Sequence, residues 1–283
     1  MRELKPLILV IIVVGVIYWG VEPLAHSIMH PKTPEPKWGY GDRVITGDAQ
    51  AGEMQVVANC TACHSIESKG IPAPMSPTDS AAAYGVVPPD LSNSGKIYNE
   101  SFLYEFIKDP VKATHLEHKF GPDSGKAYPM PGYEFLGDQA IMDMVAYLKS
   151  IAPSKVSPKE VTEAACQRCH SIKYGGIEME TPKDIITNYM GSTPPDLSMM
   201  IKSRGHNFLE TFINDPQVLL DGTAMPRVGL TKEATAEVVE YLESVGDAKK
   251  DERESMGPKF LVYFAILAIL AYLWKVKIWR DLH

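Results

Sequence analysis

The chain has four cysteines, and all four fall in two copies of one pattern: Cys60-Thr61-Ala62-Cys63-His64 and Cys166-Gln167-Arg168-Cys169-His170. Two thiols three residues apart with an imidazole directly behind them can serve several chemistries. A zinc ribbon would place its two Cys pairs about 15–20 residues apart, whereas Cys60 and Cys166 are 106 apart. A thioredoxin-like redox pair belongs in an α/β pattern, and no run of buried strands is visible here. Plain disulfides form in oxidising compartments but give neither histidine a role. Covalent attachment of a c-type haem uses every residue of the pattern: the sulfurs bond the porphyrin edge, and the histidine ligates the iron. Two such haems are the expected cofactors.

The elements around the motifs repeat as well. Pro88-Pro89-Asp90-Leu91-Ser92 recurs as Pro194-Pro195-Asp196-Leu197-Ser198. Phe102, Phe106 and Asp109-Pro110 recur as Phe208, Phe212 and Asp215-Pro216, all at the same offset of 106. The register then slips: Met130-Pro131 corresponds to Met225-Pro226 at an offset of 95, leaving about eleven extra residues between Pro110 and Met130. A haem iron with a proximal His takes a sixth ligand, and Met there raises the potential. Met130 and Met225 are the candidates, because both precede Pro and both come just before the last helix of their repeat. His115, His118 and His206 are the rival ligands, the first two in the extra segment 112–127, whose asymmetry hints at a partner contact. Met75 and Met190 are expected in loops or packing. Pro88 and Pro194 shape the loop under each proximal His, where a backbone carbonyl can hold its second ring nitrogen. Lys96, Lys202 and Arg204 are candidates to meet haem propionates.

Helices must carry these groups. Ser157-Pro158-Lys159-Glu160 is a capping box with Pro in the first turn, starting a helix that runs into Cys166. Asp48 is the matching N-cap for a helix running into Cys60. Ile141, Val145 and Leu148, and again Val238, Tyr241 and Leu242, have the spacing of an amphipathic closing helix. Phe102 to Ile107 and Phe208 to Ile213 are short helices ended by Asp-Pro. The segment 30–42 reads as a Pro-rich stalk, and 246–258 as a charged tether. The link 151–157 is short, so the two halves are expected to pack together.

Both ends are apolar, PLILVIIVVGVIYWGV from Pro6 and FLVYFAILAILAYLW from Phe260, with basic residues outside each. Each is a little short of the ~20 residues that span a bilayer core, with Trp274 and Trp279 suited to an interfacial belt. An uncleaved anchor is expected at the N-terminus, a signal peptide being the alternative. The positive-inside rule puts both termini in the cytoplasm and the middle outside. His26 and His30 are expected at the outer end of the first span. The net charge is −7 and the aqueous middle is more acidic still. That suits steering of a basic partner or ordinary solubility, and no nucleic-acid partner is expected.

Each half resembles a class I cytochrome c domain, over residues 46–150 and 155–245. The fold expected is therefore all-α: two tandem class I cytochrome c domains between transmembrane helices at 4–24 and 258–279. The site residues would be Cys60, Cys63, His64 and Met130 for one haem, and Cys166, Cys169, His170 and Met225 for the other. The layout, an anchor ending in YWGVEP, two haem domains and a basic tail KVKIWRDLH, resembles the diheme subunit that replaces cytochrome c1 in some bacterial cytochrome bc complexes. That resemblance implies an electron-transfer subunit without its own substrate site, taking electrons from a Rieske iron–sulfur subunit beside cytochrome b. A periplasmic cytochrome c or terminal oxidase would accept them. It also implies the bacterial inner membrane, with the haem domains in the periplasm. The diheme subunit of a cbb3-type oxidase, a diheme peroxidase and a free membrane-tethered shuttle are the alternatives.

Overall fold

The computed structural model of this chain describes residues 4–29, 33–38, 40 and 43–282. His30 and the side chain of His26 lie outside the described residues. Among those described, every regular element is a helix, with isolated β-bridges only.

α1 (Leu4–Val16) continues through a π-helical turn (Ile17–Val21) into α2 (Glu22–Met29). Pro23 lacks an N–H and its ring crowds the preceding turn. The π turn, closed by Glu22 N–H on the Ile17 carbonyl, comes directly before it. The first domain holds α3 (Ala49–Asn59), α4 (Pro77–Tyr84), α5 (Ser94–Ile97) and α6 (Glu100–Lys108), then α7 (Pro110–Ala113), α8 (Glu117–Phe120) and α9 (Asp138–Ile151). The second holds α10 (Pro158–Cys166), α11 (Lys183–Met190), α12 (Met200–Arg204), α13 (His206–Asn214), α14 (Pro216–Leu219) and α15 (Lys232–Gly246). α16 (Lys250–Leu282) closes the chain.

The expected caps form. Asp48 accepts from Gln50 N–H at the start of α3, and Ser157 and Glu160 make a reciprocal capping box on α10. In each domain the helix entering the haem motif packs against the closing helix, α3 on α9 and α10 on α15. Val56, Ile141, Met144 and Val145 are fully buried at the first of these, Val238 fully and Val161 nearly so at the second. The crossing in domain one is tight. A Cβ on Gly52 would collide with the Asp143 carbonyl, so only glycine lets the two backbones meet. The repeat holds in space: Phe102 stacks on Phe106 at 5.6 Å, and Phe208 on Phe212 at 5.3 Å.

The two domains share a core. Ile97 belongs to the buried cluster of domain two, and Tyr98 packs against both clusters. Asn99 N–H donates to Gly229 O (2.9 Å) and Thr231 N–H to Ile97 O (2.9 Å). Gly229, at φ +75°, has the Phe102 ring where a side chain would stand. The stalk is docked here too: Tyr40 is buried, its hydroxyl donates to Leu230 O (3.2 Å), and Thr211 Oγ1 donates to Pro34 O (2.7 Å).

One sequence expectation is extended and another corrected. The segment 112–127 contacts the chain's own second domain. Arg227 N–H donates to Thr114 O (3.0 Å), Tyr189 Oη to Ala127 O (2.6 Å), and Phe120 packs on Tyr189. The presumed tether is helical from Lys250 onward. Arg253 grips Asp247 through two bonds (2.6 and 2.8 Å) and Lys250 donates to Glu243 (2.6 Å), so charge pairing extends the helix where composition suggested a linker.

Ile8–Ala25 has a mean hydropathy of 2.2, the most apolar 18-residue stretch within Lys250–Asp281 has 1.9, and neither is buried, so two helices are long and apolar enough to cross a membrane. The first falls close to the expected span. At 33 residues α16 exceeds the ~20 needed, so its charged first turns extend beyond any bilayer core.

Candidate haem-binding sites

Each motif is wound as one turn off the end of its helix. Cys60 O accepts from both Cys63 N–H (3.1 Å) and His64 N–H (2.9 Å), and Cys166 O accepts from Cys169 and His170 at the same distances. That winding brings both thiols and the imidazole to one place. His64 Nδ1 lies 2.8 Å from Pro89 O, and His170 Nδ1 lies 2.8 Å from Pro195 O. A carbonyl can only accept, so Nδ1 carries the proton and Nε2 is left with its lone pair. Burial lowers both imidazoles below their ordinary pKa, favouring the neutral form an iron requires. The carbonyl is that of the second proline of each pair, in the loop that Pro88 and Pro194 begin.

What holds that carbonyl was not legible in the motif alone. Asp90 accepts from Glu67 N–H (2.9 Å) and Ser92 N–H (2.8 Å), while Ser92 Oγ accepts from Ser68 N–H (3.0 Å). Asp196 and Ser198 repeat the clamp on Lys173, Ser198 and Tyr174 N–H (3.2, 3.0 and 3.1 Å). Leu91 N–H also bonds Ser65 O, and Leu197 N–H bonds Ser171 O, both at 2.9 Å. The loop is thus tied to the residue directly after each histidine. The recurrence of Pro-Pro-Asp-Leu-Ser was the available signal.

The clamp predicts an acid limb. Burial alone would raise both carboxyls, but the N–H and O–H donors hold Asp90 and Asp196 below their ordinary 3.8. A carboxyl lowered in the folded state stabilises fully above the unfolded value and loses that contribution as pH falls through the folded one. Below about pH 4 the haem absorbance of the loaded protein should therefore report loosened histidine ligation. Asp90→Asn with Asp196→Asn should weaken the fold at neutral pH and flatten this limb; an unaltered limb in the double variant refutes the clamp.

The residues present fit a covalent haem. The four cysteines are unpaired. Burial pushes the thiols of Cys60 and Cys166 up to about 11 and about 12, an apolar setting that suits thioethers better than thiolate ligands or a redox couple.

Met130 is half-buried and packs against the same cluster as Cys60 and Leu91. Met225 is half-buried in an extended segment, its N–H on Thr223 Oγ1 (3.4 Å). Three residues beyond each Met the chain is pinned at matching points. Tyr133 N–H donates to Ile107 O (2.9 Å) and Val228 N–H to Ile213 O (3.3 Å). The 95-residue register of the methionines thus meets the 106-residue register of the preceding helices in one shared geometry.

Two of the three rival residues are engaged elsewhere. His206 Nε2 lies 2.8 Å from Glu243 and His115 Nδ1 lies 3.2 Å from Asp215, while His118 is exposed on α8. His115 is the one non-glycine with positive φ among the described residues, a turn that delivers the Thr114 carbonyl to domain two. Lys202 pairs with Asp247 at 3.1 Å, and Arg204 covers the Phe208 ring at 5.2 Å.

A family model described as Cytochrome c matches residues 49–152 and 158–246. The chain is similar to a cytochrome c of Tetrahymena pyriformis, 31% identical over 128 residues, covering 43% of this chain and 99% of that protein. It is also similar to a protein described as the ammonia monooxygenase gamma subunit of Nitrosomonas europaea, 26% identical over 133 residues and 34% of this chain. It spans 57% of that relative's length. A chain of a solved structure described as "Hyperthermophilic respiratory Complex III" matches 44% of this chain and 75% of its own length at 25% identity. Its TM-score of 0.37 is too loose a superposition to bear on function.

Proposed function

The chain belongs to the cytochrome c family and is an electron-carrying cytochrome, and from that premise we propose that it is the diheme electron-transfer subunit of a membrane quinol:cytochrome c reductase. It takes electrons from a Rieske iron–sulfur protein and passes them to a periplasmic cytochrome c or oxidase. Cytochrome b carries the quinol chemistry. Both termini lie in the cytoplasm and the haem domains in the periplasm.

Bound haem c supplies a one-electron iron couple at each site. The chain sets the conditions around it. His64 and His170 offer Nε2: burial favours the neutral rings, and the carbonyls of Pro89 and Pro195 keep the proton on Nδ1. Met130 and Met225 offer thioethers from segments pinned to Ile107 and Ile213. Irons held by His64 with Met130 and by His170 with Met225 would have no ligand position left for a substrate, which would favour electron transfer over peroxidase chemistry. Cys60 with Cys63, and Cys166 with Cys169, would fix each haem to the end of α3 or α10.

The observation that carries this reading is the shared core. A free shuttle needs no rigid pair of domains, and one anchor suffices to tether it. Here Ile97, Tyr98 and Tyr40 lock the two domains together, and apolar helices leave both ends of the chain. Such a unit keeps its two haems at a fixed separation.

Purification of the full chain from its membrane in mild detergent tests the assignment. Cytochrome b and a Rieske protein should accompany it, and both haems should stay inert to carbon monoxide when reduced. Recovery with a copper–haem oxidase subunit, or turnover of peroxide, would replace this reading with one of its rivals.

A further inference from the structure

We propose that Arg168, although part of the second domain's haem motif, anchors the first domain's haem by pairing its guanidinium with a propionate carboxylate across the domain interface.

Arg168 has no counterpart in the first motif, where Ala62 stands in its place. Its side chain is turned into the interface, beside the Tyr98 and Tyr128 rings of domain one. Its Nε is buried and has no hydrogen-bond partner. Glu180 acts on it through space, but no ion pair joins the two among the described residues. A guanidinium whose Nε is buried without an adjacent anion is costly, and a carboxylate satisfies its planar fork best.

The location points to the first haem. Thr181 N–H donates to Arg168 O (3.3 Å), and Thr181 Oγ1 accepts from Val87 N–H (3.1 Å), two residues before the Pro89 whose carbonyl holds His64.

The repeat supplies a second, independent argument. The counterpart of Tyr98 in domain two is Arg204, whose guanidinium lies 5.2 Å above the Phe208 ring. In domain one the same position is Tyr98, tilted on Phe102 at 6.4 Å, and the guanidinium beside it is that of Arg168 from the other domain. A propionate belongs to a haem as a matter of its covalent structure, so the anion arrives with the cofactor whenever the first domain is loaded.

A cation beside a haem stabilises its reduced form relative to its oxidised form. Arg168→Gln should therefore shift one haem roughly tenfold toward oxidation, ~59 mV for a one-electron couple. The haem affected should be the one that Met130→His displaces. Its midpoint should also become pH-dependent between about pH 6 and 8, because a propionate without its cation titrates upward. Arg168→Lys should keep most of the potential and a flat pH profile.

Redox titration of the full, doubly loaded chain, from pH 5 to 9, reads all of this. A shift confined to the haem that Met225→His displaces would overturn the proposal, as would no shift. A wild-type midpoint that follows added acetate or phosphate would assign the anion to solvent and overturn it too. Should the Gln variant fail to load haem, the Lys variant decides alone: a midpoint displaced more than tenfold refutes the pairing. The inference rests on His64 and Met130 holding the first haem. A failure of that reading shows separately, as a Met130→His variant that moves neither midpoint.

Discussion

Met225→His lowers the midpoint of one haem by a few tenths of a volt, within the ~0.8 V that axial ligation spans, and Met130→His does the same to the other. A thioether is a soft, weak donor that favours the reduced iron; imidazole donates more strongly and favours the oxidised iron. The substitution leaves the geometry in place, because the pins at Val228 and Tyr133 are backbone bonds that do not depend on the Met side chain. Each variant should displace one wave of a two-wave redox titration and leave the other. Met75→Leu and Met190→Leu should displace neither. If Met225→His and Met130→His both leave the titration unchanged, the sixth ligands lie elsewhere in the chain.

The second large effect is on folding of the first domain. Gly→Ala in a helix interior ordinarily stabilises by ~1 kcal/mol. At Gly52 the sign should reverse, because the new Cβ meets the Asp143 carbonyl and only movement of α3 away from α9 makes room. Overpacking typically costs ~1–3 kcal/mol, here against backbone rather than a yielding side chain. The interface that must open includes Val56, Ile141, Met144 and Val145, all fully buried. In a domain near 100 residues each kcal/mol lowers the melting temperature by about 4–8 °C. Gly52→Ala should therefore melt earlier and Gly52→Val should lose little more, since the Cβ is itself the obstacle. Intact-mass analysis should find a fraction of Gly52→Val carrying one haem, because Cys60 sits at the end of the displaced helix. A Gly52→Ala variant as stable as the parent would show that the helices can separate freely.

Features encoded within one helix or turn were readable in advance. The C-x-x-C-H motifs state their chemistry through residue type and spacing. Asp48 and Ser157 cap where expected, since a cap involves only the next three residues. Ile141, Val145 and Leu148, and likewise Val238 and Leu242, are buried because a 3.6-residue period marks a core-facing stripe wherever it occurs. Tyr241 is only half-buried, and Met144, Tyr147 and Val239 join the core beside these stripes.

What could not be read depends on segments that meet only after folding. The closeness of the extra segment 112–127 to Tyr189 and Arg227 is invisible in linear order. The run 246–258 looked like a tether because its charges gain partners, Glu243 and Lys202 among them, only once domain two is assembled. The Asp90 and Asp196 clamps, and the choice of Pro89 and Pro195 over the prolines before them, depend on a loop returning 25 residues to its histidine.

The sequence by itself determined two haem motifs, a duplicated all-helical domain and apolar helices at both ends, because covalent pattern, helical period and hydropathy are local properties. The tertiary structure alone decided that the two domains share one core and that Arg168 Nε is buried without a partner beside it. Those outcomes depend on which surfaces exclude water together, and no short stretch of chain carries that information.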